Sequence, residues 1–419
     1  MQPSELKFFV THRGSRLDYL IPRAVSRKFK IAAFATDFYW KPTWAWLQQI
    51  QTFLPKVARR MIQARHNELN GVPIFSWPAI GIRSALACQR ARTGRQRYEI
   101  NLHFDRLFAE RAARSAVPNH EIFHGCSYAS LETIRNEKKN GVFTILYQFD
   151  PGKYEADLVA RERALFPEWE PSEEDAPEEY WQRNFAEWKE ADLILTNSDW
   201  TRTALLAQGV AGGKIVTLPL GYELNPDEQC SYKPRQRNHP LRVLWLGSVI
   251  LRKGIHYLAQ AAVELADIGV EFTIAGPINI SKAGVAKCPK NMKFTGAVPR
   301  GTRSELYSTH DVFVLPTLSD GFAITQLEAF AHGMPVIATP NCAKVVDDGI
   351  NGFIVPARDA HALAKAMRFM AEQPQLLAQM RPRCLEAVRH FTVEQYACRL
   401  AEVVSTHYQE YKTRPPCAP

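Results

Sequence analysis

The stretch from Val312 to Thr339 constrains the fold more than any other part of the chain. Val312-Phe313-Val314-Leu315 is a short apolar run closed by Pro316, and it reads as a buried strand. Asp320 can cap a helix that the residue types extend from Gly321 to His332, with Phe322, Ile324, Leu327 and Ala331 available to pack and Gly333 as its stop. A second buried strand follows at Pro335 to Thr339. Strand, loop, helix and strand form a βαβ unit, the building block of a doubly wound parallel sheet, with the helix N-terminus at the ligand-binding edge.

The amides of Gly321, Phe322 and Ala323 are expected to point at an anion there, a phosphate above all. Eight positions separate Asp320 from Glu328, about 12 Å along a helix axis. Two carboxylates that attack one glycosidic bond stand only about 5–5.5 Å apart. These two acids therefore read as holding different parts of one long ligand.

Asp-Gly-Phe-Ala-Ile-Thr-Gln-Leu-Glu, 320–328, with the Ala-Phe-Ala-His-Gly-Met-Pro-Val-Ile-Ala-Thr that follows, resembles the E-x7-E region of a large family. That family is the retaining nucleotide-sugar glycosyltransferases of group 1, with the two-domain GT-B fold. The resemblance implies that Asp320, one methylene shorter than the family's usual Glu, meets the donor sugar's hydroxyls. Glu328 would meet the nucleotide ribose. A helix cap is the alternative role of Asp320.

A length of 419 residues fits two domains of about 200 each, and 46% hydrophobic content supplies ample core. Eight scattered cysteines without a C-x2-C pair argue against a zinc site or a disulfide framework and fit a reducing cytosol. The N-terminal residues lack signal-peptide architecture, and no apolar run reaches a bilayer's thickness, so a cytoplasmic protein is expected, with peripheral contact at the inner face of a membrane. Net charge of +9 favours anionic partners, and no motif supports nucleic-acid binding.

The fold expected is α/β, two Rossmann-like doubly wound domains facing a cleft. Residues 1–222 form an acceptor-side domain, 223–240 a polar linker with three prolines, and 241–390 a nucleotide-sugar domain. Residues 391–419 hold a helix crossing back to the first domain, and a tail. Strands are read at 6–11, 30–36, 121–125, 143–147, 192–197, 270–276 and 292–298, and 348–355 as a hairpin-like turn. Gly14 sits in a loop after the first strand, which by resemblance faces the donor diphosphate and the acceptor. Asp150, before Pro151 at a strand end, reads equally as functional or as a turn residue. Trp44, Leu47, Gln51 and Leu54 share a helical face beside Lys56, Arg59 and Arg60, open to membrane contact or to packing on their own domain. Arg90, Arg92, Arg95 and Arg97 read as a solvated helix face.

After the strand at 241, Ser248 takes a place that is usually basic in the family. Arg252 and Lys253 precede Gly254; by resemblance Lys253 contacts the diphosphate, and Arg252 substitutes for the missing cation. The function implied is retaining transfer of a hexose from a UDP- or GDP-sugar to a hydroxyl of a glycan or lipid-linked glycan, without a bound metal or other cofactor. A non-catalytic nucleotide-sugar or glycan binder, or an epimerase or phosphorylase on the same fold, is the alternative.

Overall fold

The computed structural model describes residues 5–40, 64–170, 175–224 and 239–413. The aromatic and basic run at 41–63 and most of the stretch read as a linker lie outside them.

Apolar, β-branched runs that are buried on both faces favour parallel strands covered by helices. The first sheet contains β1 (Lys7–Thr11), β2 (Lys30–Thr36), β3 (Ile74–Ser76), β4 (Ile122–Cys126), β5 (Phe143–Gln148), β6 (Leu193–Thr196) and β7 (Ile215–Thr217). Its order is β3-β2-β1-β4-β5-β6-β7, and every pairing is parallel. The second sheet contains β8 (Leu241–Leu246), β9 (Val270–Ala275), β10 (Met292–Gly296), β11 (Val312–Leu315), β12 (Val336–Ala338) and β13 (Gly352–Ile354). Its order, β10-β9-β8-β11-β12-β13, repeats the same winding, again all parallel. Each sheet reverses its winding direction once, between β1 and β4 and between β8 and β11, and such switch points open a crevice at the strands' C-terminal ends.

Two expectations about elements change. The segment at 348–355 keeps its turn, with Asp348 bridging Gly352, but continues into an edge strand, because Gly352, Phe353 and Ile354 pair parallel with β12; a side chain at Gly352 would overlap the Val336 carbonyl. The helix after β11 is shorter than its composition indicates and runs Thr325–Ala331. Ala323 adopts φ +62°, which no α-helix accommodates, so Asp320 to Ile324 form a turn instead.

The sheets approach one another at the C-terminal ends of their strands. Gly321, after β11, lies so close to the Phe149 carbonyl after β5 that a Cβ would overlap it. The helix Lys153–Leu165 leaves the first sheet and sends Glu162, with its side chain fully buried, into the second domain. Glu162 accepts hydrogen bonds from His256 Nε2 at 2.8 Å, Tyr257 Oη at 2.7 Å and Arg358 Nε at 2.8 Å. Against the cost of burial, these three donors hold its carboxyl down to about 2. Burial keeps His256 neutral, and because a carboxylate only accepts, its proton sits on Nε2. Trp169, beyond the helix, packs in the same core as Leu241, Trp245 and Ile274.

The helix Val393–Thr413 returns to the first domain. Phe391 accepts the Tyr222 amide at 2.6 Å, Thr392 bridges Tyr222, and Tyr408 and Tyr411 pack on Phe143. Among the described residues no helix is long and apolar enough to cross a membrane.

Gly254 begins the helix Ile255–Glu264 at φ +73°, and a Cβ there would overlap the Pro316 carbonyl. Gly254→Ala is expected to lower unfolding free energy by roughly 2–4 kcal/mol, from left-handed strain together with overpacking. Urea titration checks this, and an unchanged midpoint would show that β11 can shift freely.

Candidate functional site

Both switch points open onto the line where the two sheets meet. On the second sheet, β8 and the 3-10 turn Leu251–Lys253 present Arg252 and Lys253, and the turn after β11 presents Asp320. Lys253 and Asp320 form an ion pair, with side chains 16% and 14% exposed. Burial, and then the charge of Arg252, push the Lys253 ammonium down to about 7. The touching Asp320 carboxylate acts the other way and holds the proton on. Arg252 donates from Nη1 to the Ser319 carbonyl at 2.9 Å. Ser248 stands exposed at the end of β8.

Asp320 does not cap the helix. Its Oδ1 accepts the amides of Phe322 at 3.3 Å and Ala323 at 3.1 Å, closing the turn ahead of it. These two amides are therefore engaged within the turn, where the sequence pointed to open anion donors. Gly321 serves close approach between the domains.

Glu328 lies one step further along, in the short helix. Its Oε2 accepts from Tyr307 Oη at 2.7 Å, and Arg303 stands 3.8 Å from Oε1. Tyr307 stacks on His332 at 4.9 Å. Together these residues wall a cavity of about 540 Å³ that Asp18 and Tyr222 close from the first domain. Leu17 and Asp18 on that wall, and Tyr19 next to them, all have positive φ, between 49° and 60°. Three strained non-glycine residues in a row persist only where their surroundings fix them.

On the first sheet the site begins after β1. Gly14, at φ +80°, donates its amide to Asp37 Oδ1 at 2.8 Å. Burial pushes His12 down to about 4, so its neutral ring donates from Nδ1 to the Gly14 carbonyl at 3.0 Å. Arg13 is bound to Asp105. Arg16 lies 3.8 Å over the Phe149 ring, facing a cavity of about 290 Å³.

Asp150 combines the two readings given to it. Its Oδ1 accepts the Gly152 amide at 3.0 Å, as a turn residue does, and also Gln148 Nε2 at 2.9 Å and Tyr128 Oη at 2.8 Å. Burial, and then nearby Glu155, raise its carboxyl. Tyr128 is itself at φ +72°. A buried network holds it there: Glu187 accepts its amide at 2.6 Å and Arg183 donates to its carbonyl at 2.7 Å. Burial, against Arg183, pushes Glu187 up to about 7.

Among the described residues, one cluster has metal-ligand spacing. Ligand atoms of His66, Glu68 and Glu223 lie within 4.8 Å of one another. Arg23 Nη2 already donates to Glu68 at 2.8 Å and to Glu223 at 2.6 Å, so the acids serve a guanidinium and the set does not fit a cation.

Sequence reasoning passed over Tyr128, Ser319, Tyr307 and the acids of the helix Lys153–Leu165. Only Glu155 and Glu162 left a signal, since seven residues apart they share a helix face.

Residues 240–373 match the model of the family described as Glycosyl transferases group 1. An uncharacterized 41.2 kDa protein in the cps region of Klebsiella pneumoniae is 24% identical over 239 residues, 54% of this chain and 62% of that protein. The GDP-mannose-dependent alpha-(1-6)-phosphatidylinositol monomannoside mannosyltransferase of Mycolicibacterium smegmatis is 26% identical over 247 residues, 52% of this chain and 63% of its own length. The chain thus spans somewhat under two thirds of these curated relatives. Among solved structures, sucrose-phosphate synthase from Thermosynechococcus elongatus superposes with a TM-score of 0.65 at 17% identity, covering 97% of this chain and all (100%) of that one. Anabaena Alr3699/HepE in complex with UDP and glucose superposes with a TM-score of 0.57 at 13% identity, covering 96% and 100%. With its two sheets wound alike and facing one cleft, the chain has the GT-B fold, and its residues 240–373 are similar to the group 1 glycosyl transferases.

Proposed function

We propose that the protein is a retaining glycosyltransferase that moves a hexose from a UDP- or GDP-sugar to a hydroxyl of a glycan or lipid-linked glycan. The observation that carries this reading is the placing of Arg252, Lys253 and Asp320 together at the switch point of the second sheet, with Glu328 facing the adjoining cavity. The relatives add support: one is named for GDP-mannose, and one neighbouring structure holds UDP and glucose. The domain limits read from sequence, with an acceptor-side domain to residue 222 and a donor domain from 241, belong to the same proposal.

In this reading Lys253 and Arg252 meet the donor's diphosphate, Asp320 the sugar hydroxyls and Glu328 the ribose. The amides of Phe322 and Ala323 support Asp320 rather than the phosphate. The bond from C1 to the diphosphate oxygen breaks, and the acceptor oxygen bonds to C1 on the same face. The acceptor's proton passes to the departing phosphate oxygen. Two cations beside that oxygen stabilise charge as it develops, and the closed cleft excludes water. Gly14 faces the diphosphate and the acceptor, Asp150 stands near the reacting sugar, and no metal ion takes part. Net charge of +9 accords with peripheral docking on an anionic membrane from the cytoplasm.

Thermal-shift binding against UDP, GDP, ADP and their sugar conjugates, followed by donor hydrolysis, tests the reading. One nucleotide sugar should raise the melting temperature and be hydrolysed slowly; if none of them shifts it, the donor site is misassigned. Glu328→Ala should weaken nucleotide binding, whereas Lys253→Ala should chiefly slow transfer, raising the barrier by about 2–4 kcal/mol. A Lys253→Ala enzyme as fast as the parent would remove Lys253 from the mechanism.

Asp320→Asn makes a sharper test. Without its carboxylate, Lys253 loses the anion it touches while burial and Arg252 still outweigh the more distant Glu155, so its ammonium is present at pH 6 and lost as pH rises through about 7. Nucleotide affinity of this variant should fall by up to about tenfold between pH 6 and pH 8. A pH-independent affinity would show that Lys253 stays charged without Asp320.

A further inference from the structure

The helix Lys153–Leu165 turns two acids toward the second domain. Glu162 is the buried interdomain carboxylate, and Glu155, two turns nearer the helix start, faces the candidate donor groups. Its Oε2 accepts from the Ser319 hydroxyl at 2.7 Å and from Arg252 Nη1 at 3.2 Å. Trp200, also of the first domain, donates from Nε1 to the Ser319 oxygen at 2.8 Å. The loop before Asp320 and the guanidinium of Arg252 are thus both gripped from across the cleft.

The grip is one-sided. Arg252 Nη1 serves Glu155 and the Ser319 carbonyl, and every side-chain hydrogen bond recorded for Arg252 among the described residues leaves from that nitrogen. Nε and Nη2, on a side chain 27% exposed, remain for a ligand. A planar guanidinium fixed at one corner keeps its other donors in one direction. Fixing a charge-stabilising donor before the reaction is worth more to the transition state than to substrate binding.

Resting on the transferase reading above, we propose that Glu155 is a positioning residue: reaching from the first domain, it aims Arg252 at the departing diphosphate and makes that aim conditional on closure of the two domains. The role is exerted through Arg252, so the two residues form one unit in the rate and not in nucleotide affinity.

The test is a double-mutant cycle on the full-length protein, with Glu155→Gln, Arg252→Ala and the pair. Hydrolysis of UDP-glucose and of GDP-mannose supplies kcat and KM, and UDP and GDP thermal shifts report binding. Glu155→Gln should lower kcat about tenfold, the equivalent of one charge-assisted contact, with KM and the nucleotide shift within about twofold of the parent. In the Arg252→Ala background it should do nothing more. An undiminished kcat in Glu155→Gln, or a loss that simply multiplies with that of Arg252→Ala, overturns the positioning role. If Glu155→Gln does not fold, Glu155→Asp, which keeps the charge and shortens the reach, replaces it in the same cycle with the same criteria. A parent protein that binds and hydrolyses neither sugar nucleotide overturns the transferase reading, and this role with it, whereas a parent that hydrolyses one separates the two failures.

Discussion

The carboxylate of Glu162, buried between the two sheets, is the interaction on which the site's geometry depends. A fully buried acid is tolerable only when it is completely hydrogen-bonded. Glu162 meets that condition with three donors from the second domain, although its own helix belongs to the first. Any arrangement that separates the domains here must hydrate Glu162, His256 and Arg358 together. The relation between the sheets is therefore held by an interaction that is either fully made or fully lost, and the loops carrying Arg252, Lys253 and Asp320 inherit that character.

Much of the fold was legible because parallel strands buried on both faces leave a plain record. Val312 to Leu315 is apolar at every position, and in most of the other strands apolar residues outnumber polar ones. What escaped reading has physical causes. β3 is only three residues long, and β13 is recognisable as a strand only through its pairing with β12. The helix after β11 was overextended because residue types indicate propensity, while the end of the helix was decided by Ala323 in a left-handed conformation that no composition announces.

The site was legible where one segment carries several of its members, as around 252–254 and 320–328. It was illegible where partners come from distant elements. The pairing of Lys253 with Asp320 joins residues 67 positions apart, and Tyr128 reaches Asp150 through a network anchored by Glu187. Asp150 shows why the two readings of one residue need not compete: the oxygen that closes a turn with Gly152 also fixes the Tyr128 hydroxyl at the cleft. Asp320 behaves in the same way, closing its own turn with one oxygen while the other faces Lys253.

The crossing at Tyr222 and Thr392 has a mechanical meaning. The chain leaves the first domain just beyond Tyr222 and comes back to it at Thr392, and these two strands of backbone run side by side, joined by a bridge and by the hydrogen bond from Tyr222 to Phe391. Two parallel tethers at one point act like the paired knuckles of a door hinge: they leave bending about one axis free and resist twisting about the others. At the cleft the two domains are joined by side chains, Glu162 among them, whereas here the chain itself joins them. A protein built this way can line its cleft with polar groups, because the register of the two domains does not rest on the cleft alone.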